Sequence, residues 1–410
     1  MDWMGHPLVR AIVENLDDDA PRLVFADWLD EHDHASWAEL IRVQCRIAGL
    51  DEAAVEVPVL RSREQQLLRG AHRPWEATMP RLDGLAWNSR HRQSTGFERG
   101  FPEWATWGSL RNWQAQLSRF WEETTINRLA IQLEPSRSVA EVFRLITGSD
   151  PRINRLRELD FRLTSGRMEH WVLDAMSEFG VLNQLEGLSI TADGVNWDGL
   201  SRYLQSHSGV GLVGLSLKLR EIAPSLLRVL GDPKRPEPWL LLRLDGRTDS
   251  PWELATLLHS PSVEGIHTLE LSQEHVHPMI LAALIESPRL ARLEQLRVAS
   301  DYWDLPSLRR LVASGMVRMV RHLQLRFHER SSEAVAALAQ VTGQTRWLSL
   351  RLELGPMGDQ AWRMIEESPA FANLRSLQIR TESPEPEREA TLRNRFGNRL
   401  RWSVVQSRSA

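Results

Sequence analysis

The chain of 410 residues has one cysteine, Cys45, two tyrosines and only two lysines, Lys218 and Lys234. A single thiol excludes an intramolecular disulfide framework and fits a reducing compartment. No apolar run reaches the ~18 residues of a membrane span. The first residues also lack a basic segment followed by an apolar one, so neither anchoring nor Sec-type export is indicated and a cytoplasmic protein is expected. Absent too are G-x-S-x-G, the Walker A pattern, G-x-G-x-x-G and paired C-x-x-C. Without a convergent acid, base and nucleophile, the expectation is a non-enzymatic protein that needs no cofactor.

With lysine so scarce, almost every cation is arginine, the side chain suited to bidentate recognition of acids and phosphates. GC-rich codon usage produces the same bias without any function. Net charge is −4, unevenly spread. Residues 1–60 carry 13 acids against four arginines, a balance of −9, which leaves +5 for the remainder. Head and body therefore suit different partners.

Ten short apolar strands written L-x-L recur along the chain. They begin at Leu129, Leu159, Leu188, Leu215, Leu242, Leu269, Leu296, Leu323, Leu348 and Leu377, at intervals of 30, 29, five times 27, 25 and 29. Ser206, Ser260, Ser287, Ser314 and Ser368 keep the same beat and mark helix exits, several followed by a proline that cannot continue a helix. Between strand and serine the spacing is helical, as in Ser332 to Gly343. A strand, a turn and a helix in about 27 residues form one turn of an α/β solenoid, in which stacking supplies the core that a single repeat lacks.

The segments Leu293-x-x-Leu296-x-Val298 and Leu374-x-x-Leu377-x-Ile379 resemble the ribonuclease-inhibitor-like class of leucine-rich repeats, over roughly residues 120 to 405. That class carries Asn or Cys at the turn after the strand. Here the position reads Thr164, Asp193, Arg220, Arg247, Glu274, Asp301, His328, Glu353 and Glu382, which predicts looser, less uniform turns on the same fold. The resemblance implies an α/β solenoid of about ten or eleven repeats, with a parallel sheet on the concave face and helices on the convex face.

The N-terminus reads as all-helical: His6–Asn15, Pro21–Glu31, Trp37–Ala48 with a Ser36/Glu39 capping box, and Arg61–Gly70. Ala11 to Glu31 followed by Glu39-Leu-Ile-Arg-Val-Gln-Cys45 is similar to the bacterial repeat-companion domain, found ahead of leucine-rich repeats, with a weaker continuation to Glu98-Arg-Gly-Phe101. This resemblance implies architecture and kinship, and no reaction. The expected organisation is a helical domain at 1–70, a transition and cap at 71–120, the solenoid at 121–405 and a polar tail at 406–410.

Two His-x-His pairs, His32/His34 and His275/His277, offer metal-type ligands and the only route to a cryptic metal-dependent enzyme, yet neither has the spacing of a defined metal motif. Cys45, on an amphipathic helix, reads as a buried structural thiol. Trp171, Trp197, Trp252, Trp303 and Trp362 fall near the starts of repeat helices, where packing on the neighbouring helix is expected.

Strand alternation carries the functional expectation, since the leucines face the core and the residues between them face the concave surface. One column reads Arg162, Thr191, Lys218, Asp245, Ser272, Ala299, Arg326, Arg351 and Arg380; the column one step earlier includes Arg243 and Arg297. Arg326, Arg351 and Arg380 then form a basic stripe, with Trp347 and His322 beside it, of hot-spot composition. The expectation is a protein partner bound by Arg326, Arg351, Arg380 and Trp347, with Arg243 and Arg297 secondary. Local neutralisation by Glu353 and Glu382 is the alternative account of these arginines. A nucleic acid or other polyanion is disfavoured because Asp245, Glu270 and Glu274 interrupt the basic groove.

Overall fold

The structure, a computed structural model, describes residues 6–51, 54, 56–69, 80–87, 97–108, 113–133, 151–163, 166–168, 185–206, 211–235, 237–341 and 345–404. Much of 71–120, together with Thr164, Trp171, Gly70, Gly343 and the 406–410 tail, lies outside these residues. Two compact units are present: residues 1–165 with 175–185, and residues 166–174 with 186–410.

In the first unit four helices come first: α1 (Pro7–Glu14), α2 (Ala20–Glu31), α3 (Ala35–Ala48) and α4 (Val57–Arg69). Their apolar faces meet in a core of Ile12, Phe25, Leu29, Trp37 and Ile41, joined by Phe97 and Phe101. The last two belong to a short hairpin, β2 (Phe97–Glu98) with β3 (Phe101–Pro102), that follows β1 (Leu85–Trp87). Gly100 at the hairpin tip has φ +85°, and a Cβ there would lie 2.1 Å from Ile41 Cγ1, so only glycine fits. The Trp37 indole donates to the Gly100 carbonyl at 2.9 Å, and the Gly100 N–H donates to Gln44 at 2.7 Å. The Ser36/Glu39 capping box does not form. Helix α3 starts at Ala35 with no side-chain cap bond, and the Glu39 carboxylate clasps Arg63 on α4 at 2.6 and 2.7 Å. Cys45 is buried, and burial pushes its thiol up to about 12, which keeps it protonated at neutral pH.

The same unit continues with β4 (Trp104–Trp107), α5 (Trp113–Glu123), β5 (Arg128–Leu133) and β6 (Glu158–Leu163), giving the strand order β1-β4-β5-β6. In that order β1–β4 is antiparallel, like the β2–β3 hairpin, whereas β4–β5 and β5–β6 are parallel.

The second unit opens with β7 (Arg167–Met168), β8 (Gly187–Thr191), β9 (Gly194–Val195) and α6 (Trp197–Ser206). From there strand and helix alternate: β10 (Gly214–Glu221), α7 (Pro224–Leu230), β11 (Leu241–Arg247), α8 (Pro251–His259), β12 (Thr268–His275), α9 (Pro278–Glu286) and β13 (Gln295–Tyr302). The run ends with α10 (Leu305–Ala313), α11 (Gly315–Met319), β14 (His322–Phe327), α12 (Ser331–Ala339), β15 (Ser349–Leu354), α13 (Asp359–Glu367), β16 (Ser376–Thr381), α14 (Pro386–Phe396) and β17 (Leu400–Val404). Strands β8 and β10 to β17 lie side by side in chain order, each pair parallel. This is an α/β solenoid of leucine-rich-repeat type.

The register corrects one expected strand. Leu323 pairs with Leu350, not Leu348, and Leu350 pairs with Leu377. Leu188, Leu215, Leu242, Leu269, Leu296, Leu323, Leu350 and Leu377 therefore stand in an unbroken row at a constant interval of 27 residues. The anomalous intervals of 25 and 29 arose because Trp347-Leu-Ser-Leu-Arg-Leu-Glu-Leu354 contains several L-x-L frames, and a period of two cannot choose among them. Every one of these eight leucines is at most 2% exposed. Burial of each contributes about 1.5–3 kcal/mol.

The serines at the helix exits do more than stop helices. Ser260, Ser287 and Ser368 each open a 3-10 turn by accepting from the backbone N–H two residues on. The same hydroxyls donate backwards to carbonyls at the end of the preceding helix: Gly231 at 2.7 Å, Leu258 at 2.5 Å and Ala339 at 2.7 Å. Each serine thus satisfies one orphan donor and one orphan acceptor across a repeat junction. Ser287→Ala is expected to destabilise the second unit by about 1–2 kcal/mol, read as a lower urea midpoint at unchanged slope. Turns after the strands are less uniform. Ser300 bonds the N–H of Val276, Ser331 bonds that of Gly355, and the β10–β11 register shifts between Lys218 and Glu221.

Candidate functional site

The alternating strand pattern puts two rows of polar side chains on the open face of the second unit's sheet. The register gives one row as Ser216, Arg243, Glu270, Arg297, Gln324, Arg351, Gln378. The other runs Lys218, Asp245, Ser272, Ala299, Arg326, Glu353, Arg380. The expected column of three arginines is not formed. Arg351 belongs to the first row, and Glu353 sits between Arg326 and Arg380. The cause is the two-residue frame error at β15, which moved each of its side chains one place along the same face.

A lattice of alternating charge replaces the basic stripe. Glu270 bridges Arg243 at 2.8 Å and Arg297 at 3.2 Å. Glu353 takes Arg351 at 3.3 Å and Arg380 at 3.2 Å, and also accepts from Gln324 at 3.1 Å. Arg326 pairs with Asp301 at 3.2 Å. The two bridging glutamates are the most covered members, with side chains 14% and 12% exposed, while the side chains of Arg243, Arg326 and Arg380 remain 43%, 33% and 30% exposed. Around Glu270 and Glu353 the carboxylate lies below and the arginines above, an arrangement that presents cations to solvent in fixed rotamers. Of the two acids expected to neutralise the arginines, Glu353 does so, whereas Glu382 bonds His328 at 2.5 Å.

The arginines are not saturated. The Nε atoms of Arg297, Arg326 and Arg351 are buried and have no hydrogen-bond partner. Burial holds the Arg351 guanidinium below the usual arginine range; Glu353 opposes the shift, and Arg380 and Arg297 add to it. Among the described residues, five guanidiniums thus share three carboxylates, Glu270, Asp301 and Glu353, so these ion pairs leave a surplus of two positive charges.

Trp347 does not belong to this face. It is 2% exposed, its indole donates to the Val317 carbonyl at 2.7 Å, and its ring stacks on Phe371 with centroids 6.4 Å apart. The residue lies two places ahead of β15 and fills the space between strand and helix layers, so it cannot touch a partner. His322 stands in a neighbouring row with Gln295 and Ser349. Trp303 and Trp362 are buried as expected, while Trp252 is 56% exposed.

One histidine of each His-x-His pair is otherwise engaged. His277 caps α9, its Nδ1 accepting from Met279 N–H at 3.2 Å, and His32 lies over the Trp28 ring at 3.8 Å. Among the described residues no three His, Cys, Asp or Glu side chains converge as a metal site, and no helix is long and apolar enough to cross a membrane.

Sequence reasoning had Glu353 as a local neutraliser and Glu270 as an interruption of the basic groove, but missed Asp301 and the bridging of two arginines by each glutamate. The signal available was the constant 27-residue interval, which places Glu270 between Arg243 and Arg297.

No protein-family model and no curated protein matches the sequence. Among solved structures, a chain in the crystal structure of the Rad7 and Elc1 complex from yeast is similar over 98% of this chain and 94% of that one, with 12% identity and a TM-score of 0.43. A likeness so low in both measures carries no inference about function.

Proposed function

We propose that the open sheet face of the second unit recognises a partner protein through acidic side chains, and that the chain acts as an adaptor or sensor without catalysis. On the same reading the chain is a bacterial cytoplasmic protein, and its helical head is a repeat-companion domain. The observation that carries the proposal is the lattice itself: Arg243, Arg297, Arg326, Arg351 and Arg380 are held on rigid strands by only three carboxylates. Side chains ordered before binding lose little rotamer freedom on docking, and their surplus charge selects acidic groups. A continuous polyanion fits poorly, because Asp245, Glu270 and Glu353 would lie beneath it.

The test is a capture experiment from host lysate with the wild-type protein and with an Arg326→Gln/Arg380→Gln variant, followed by mass spectrometry and by titration of the purified partner. These two positions are about a third exposed, so the fold should be retained. The expected result is a protein retained by the wild type whose affinity drops about tenfold or more in the variant. Identical capture and affinity for the two proteins would sink the reading. Retention of nucleic acid with a steep salt dependence would replace it.

A further inference from the structure

At the helix-to-strand end of three consecutive repeats, outside the arginine rows, lies a cleft of 340 Å³. Pro233 and Pro238 from the loop before β11, and Pro261 at the start of the next 3-10 turn, form its walls. Prolines have fixed backbone and almost no side-chain freedom, so these walls are in place before anything binds. The volume falls within the range of small-molecule pockets.

Two cations and one acid face the cleft: Arg235, Arg292 and Glu264. Glu264 is engaged by Arg289, a neighbour in the following turn, at 2.5 Å. Arg235 is immobilised. Its guanidinium lies over the Trp239 ring at 3.6 Å and donates to the Leu212 carbonyl. Trp239 is fully buried, with its indole bonded to the Leu230 carbonyl at 3.1 Å. Glu237 is near enough to support the charge of Arg235, but among the described residues no carboxylate is hydrogen-bonded to that guanidinium, and its Nε is buried without a partner. Burial lowers Arg235 to about 10, which leaves it cationic at neutral pH. A guanidinium partly withdrawn from water, fixed in geometry and lacking a bonded acid is costly to the fold, and an incoming anion offsets that cost. Arg292 is exposed and can close over such an anion from the other side.

We infer that this cleft is a binding site for a small amphipathic anion, an oxyanion group carried on a compact apolar body, with Arg235 as the fixed anchor, Arg292 as the mobile one and the three prolines against the apolar part. A carboxylate and a phosphate monoester satisfy the two guanidiniums alike.

Isothermal titration of the full chain at low salt tests this with three probes of one size: phenylacetate, phenyl phosphate and the neutral 2-phenylacetamide. At least one anion should bind with a Kd on the order of 0.1–1 mM, and the amide at least about tenfold more weakly. The stronger of the two anions identifies the headgroup. Arg235→Met should abolish the heat. Arg292→Glu, at an exposed position, should weaken binding at least about tenfold and keeps the test readable if Arg235→Met fails to fold. The inference is overturned if neither anion binds at millimolar concentration, if the amide binds as well as the anions, or if Arg292→Glu leaves the affinity unchanged. Since none of these residues belongs to the arginine lattice, the outcome is independent of the partner-recognition proposal.

Discussion

Arg22→Met should destabilise the first unit by about 3–5 kcal/mol near pH 7.5, the usual cost of leaving one member of a buried ion pair behind. Arg22 on α2 is fully buried and bonds Glu103 at 3.2 Å and the Leu16 carbonyl at 2.8 Å. Its Nε and Nη1 find no hydrogen-bond partner. Burial lowers Arg22 and raises Glu103 to about 7, with each partner opposing the other's shift. Both members of the pair are therefore displaced toward neutrality, so desolvation outweighs attraction. Two further results follow. The double variant Arg22→Met/Glu103→Gln should recover most of the loss, to within about 1 kcal/mol of the wild type, because no buried charge remains. The single-variant penalty should also shrink at pH 5, where Glu103 is already protonated.

The wild type itself should show a pH dependence of definite sign. Between about 4.5 and about 7 the folded protein holds a proton on Glu103 that the unfolded chain has released. Stability of this unit is therefore highest below the unfolded value, falls as pH rises through that window and levels off above it, a loss on the order of 3 kcal/mol. Hydrogen exchange of α2 and α3 across urea concentrations measures all of these quantities. A single variant as stable as the wild type at pH 7.5 would show that the pair contributes nothing.

Gly355→Ala should be among the most damaging single methyls that can be added to the solenoid. Its Cβ would stand 2.0 Å from the His328 carbonyl oxygen and 3.0 Å from that carbonyl carbon. The obstacle is backbone in the adjacent repeat, so no rotamer change relieves it. The Gly355 N–H is also committed, to Phe327 O and to Ser331 Oγ, each at 2.9 Å. The added carbon must therefore push β15 away from β14 or break both bonds, at about 3 kcal/mol or more. Gly358, three residues on, has nothing within 4 Å of the same hypothetical atom. Gly358→Ala should change stability by less than about 1 kcal/mol and serves as the control. Thermal unfolding of the two variants side by side decides the matter; equal midpoints would contradict the packing argument.

The architecture was legible because its determinant is local and repeated. A leucine pair every 27 residues specifies strand positions, and a serine at the same interval specifies helix ends. What failed was the choice of frame where the pattern is over-provided. Residues 348–354 alternate leucine with other residues throughout, so the strand reads equally well from Leu348 or Leu350, and only the neighbours' register decides. That one choice scrambled the arginine rows and hid Glu353 among presumed turn positions. Trp347 was misjudged for a related reason: it precedes the strand, where alternation does not say which way a ring turns. The Arg22–Glu103 pair had no chance of being seen, since 81 residues separate its members and neither belongs to a periodic pattern. The Ser36/Glu39 motif shows the opposite failure, a valid local signal overruled because Arg63 on the adjoining helix competes for the glutamate.

The constant interval also bears on how such a chain can be lengthened or shortened. Because each strand contributes one side chain per row, excising 27 residues from Leu269 to Gln295 would leave every leucine facing inward and the backbone ladder intact. The cut would nevertheless place Arg243 directly against Arg297, with Glu270 gone and two like charges ~4.8 Å apart. Two consecutive modules removed together would bring Arg243 beside Gln324, a neutral neighbour. The polar rows thus carry a memory of module order that the apolar core does not, and rearrangements of this chain would be screened by its charges before they are tested by its packing.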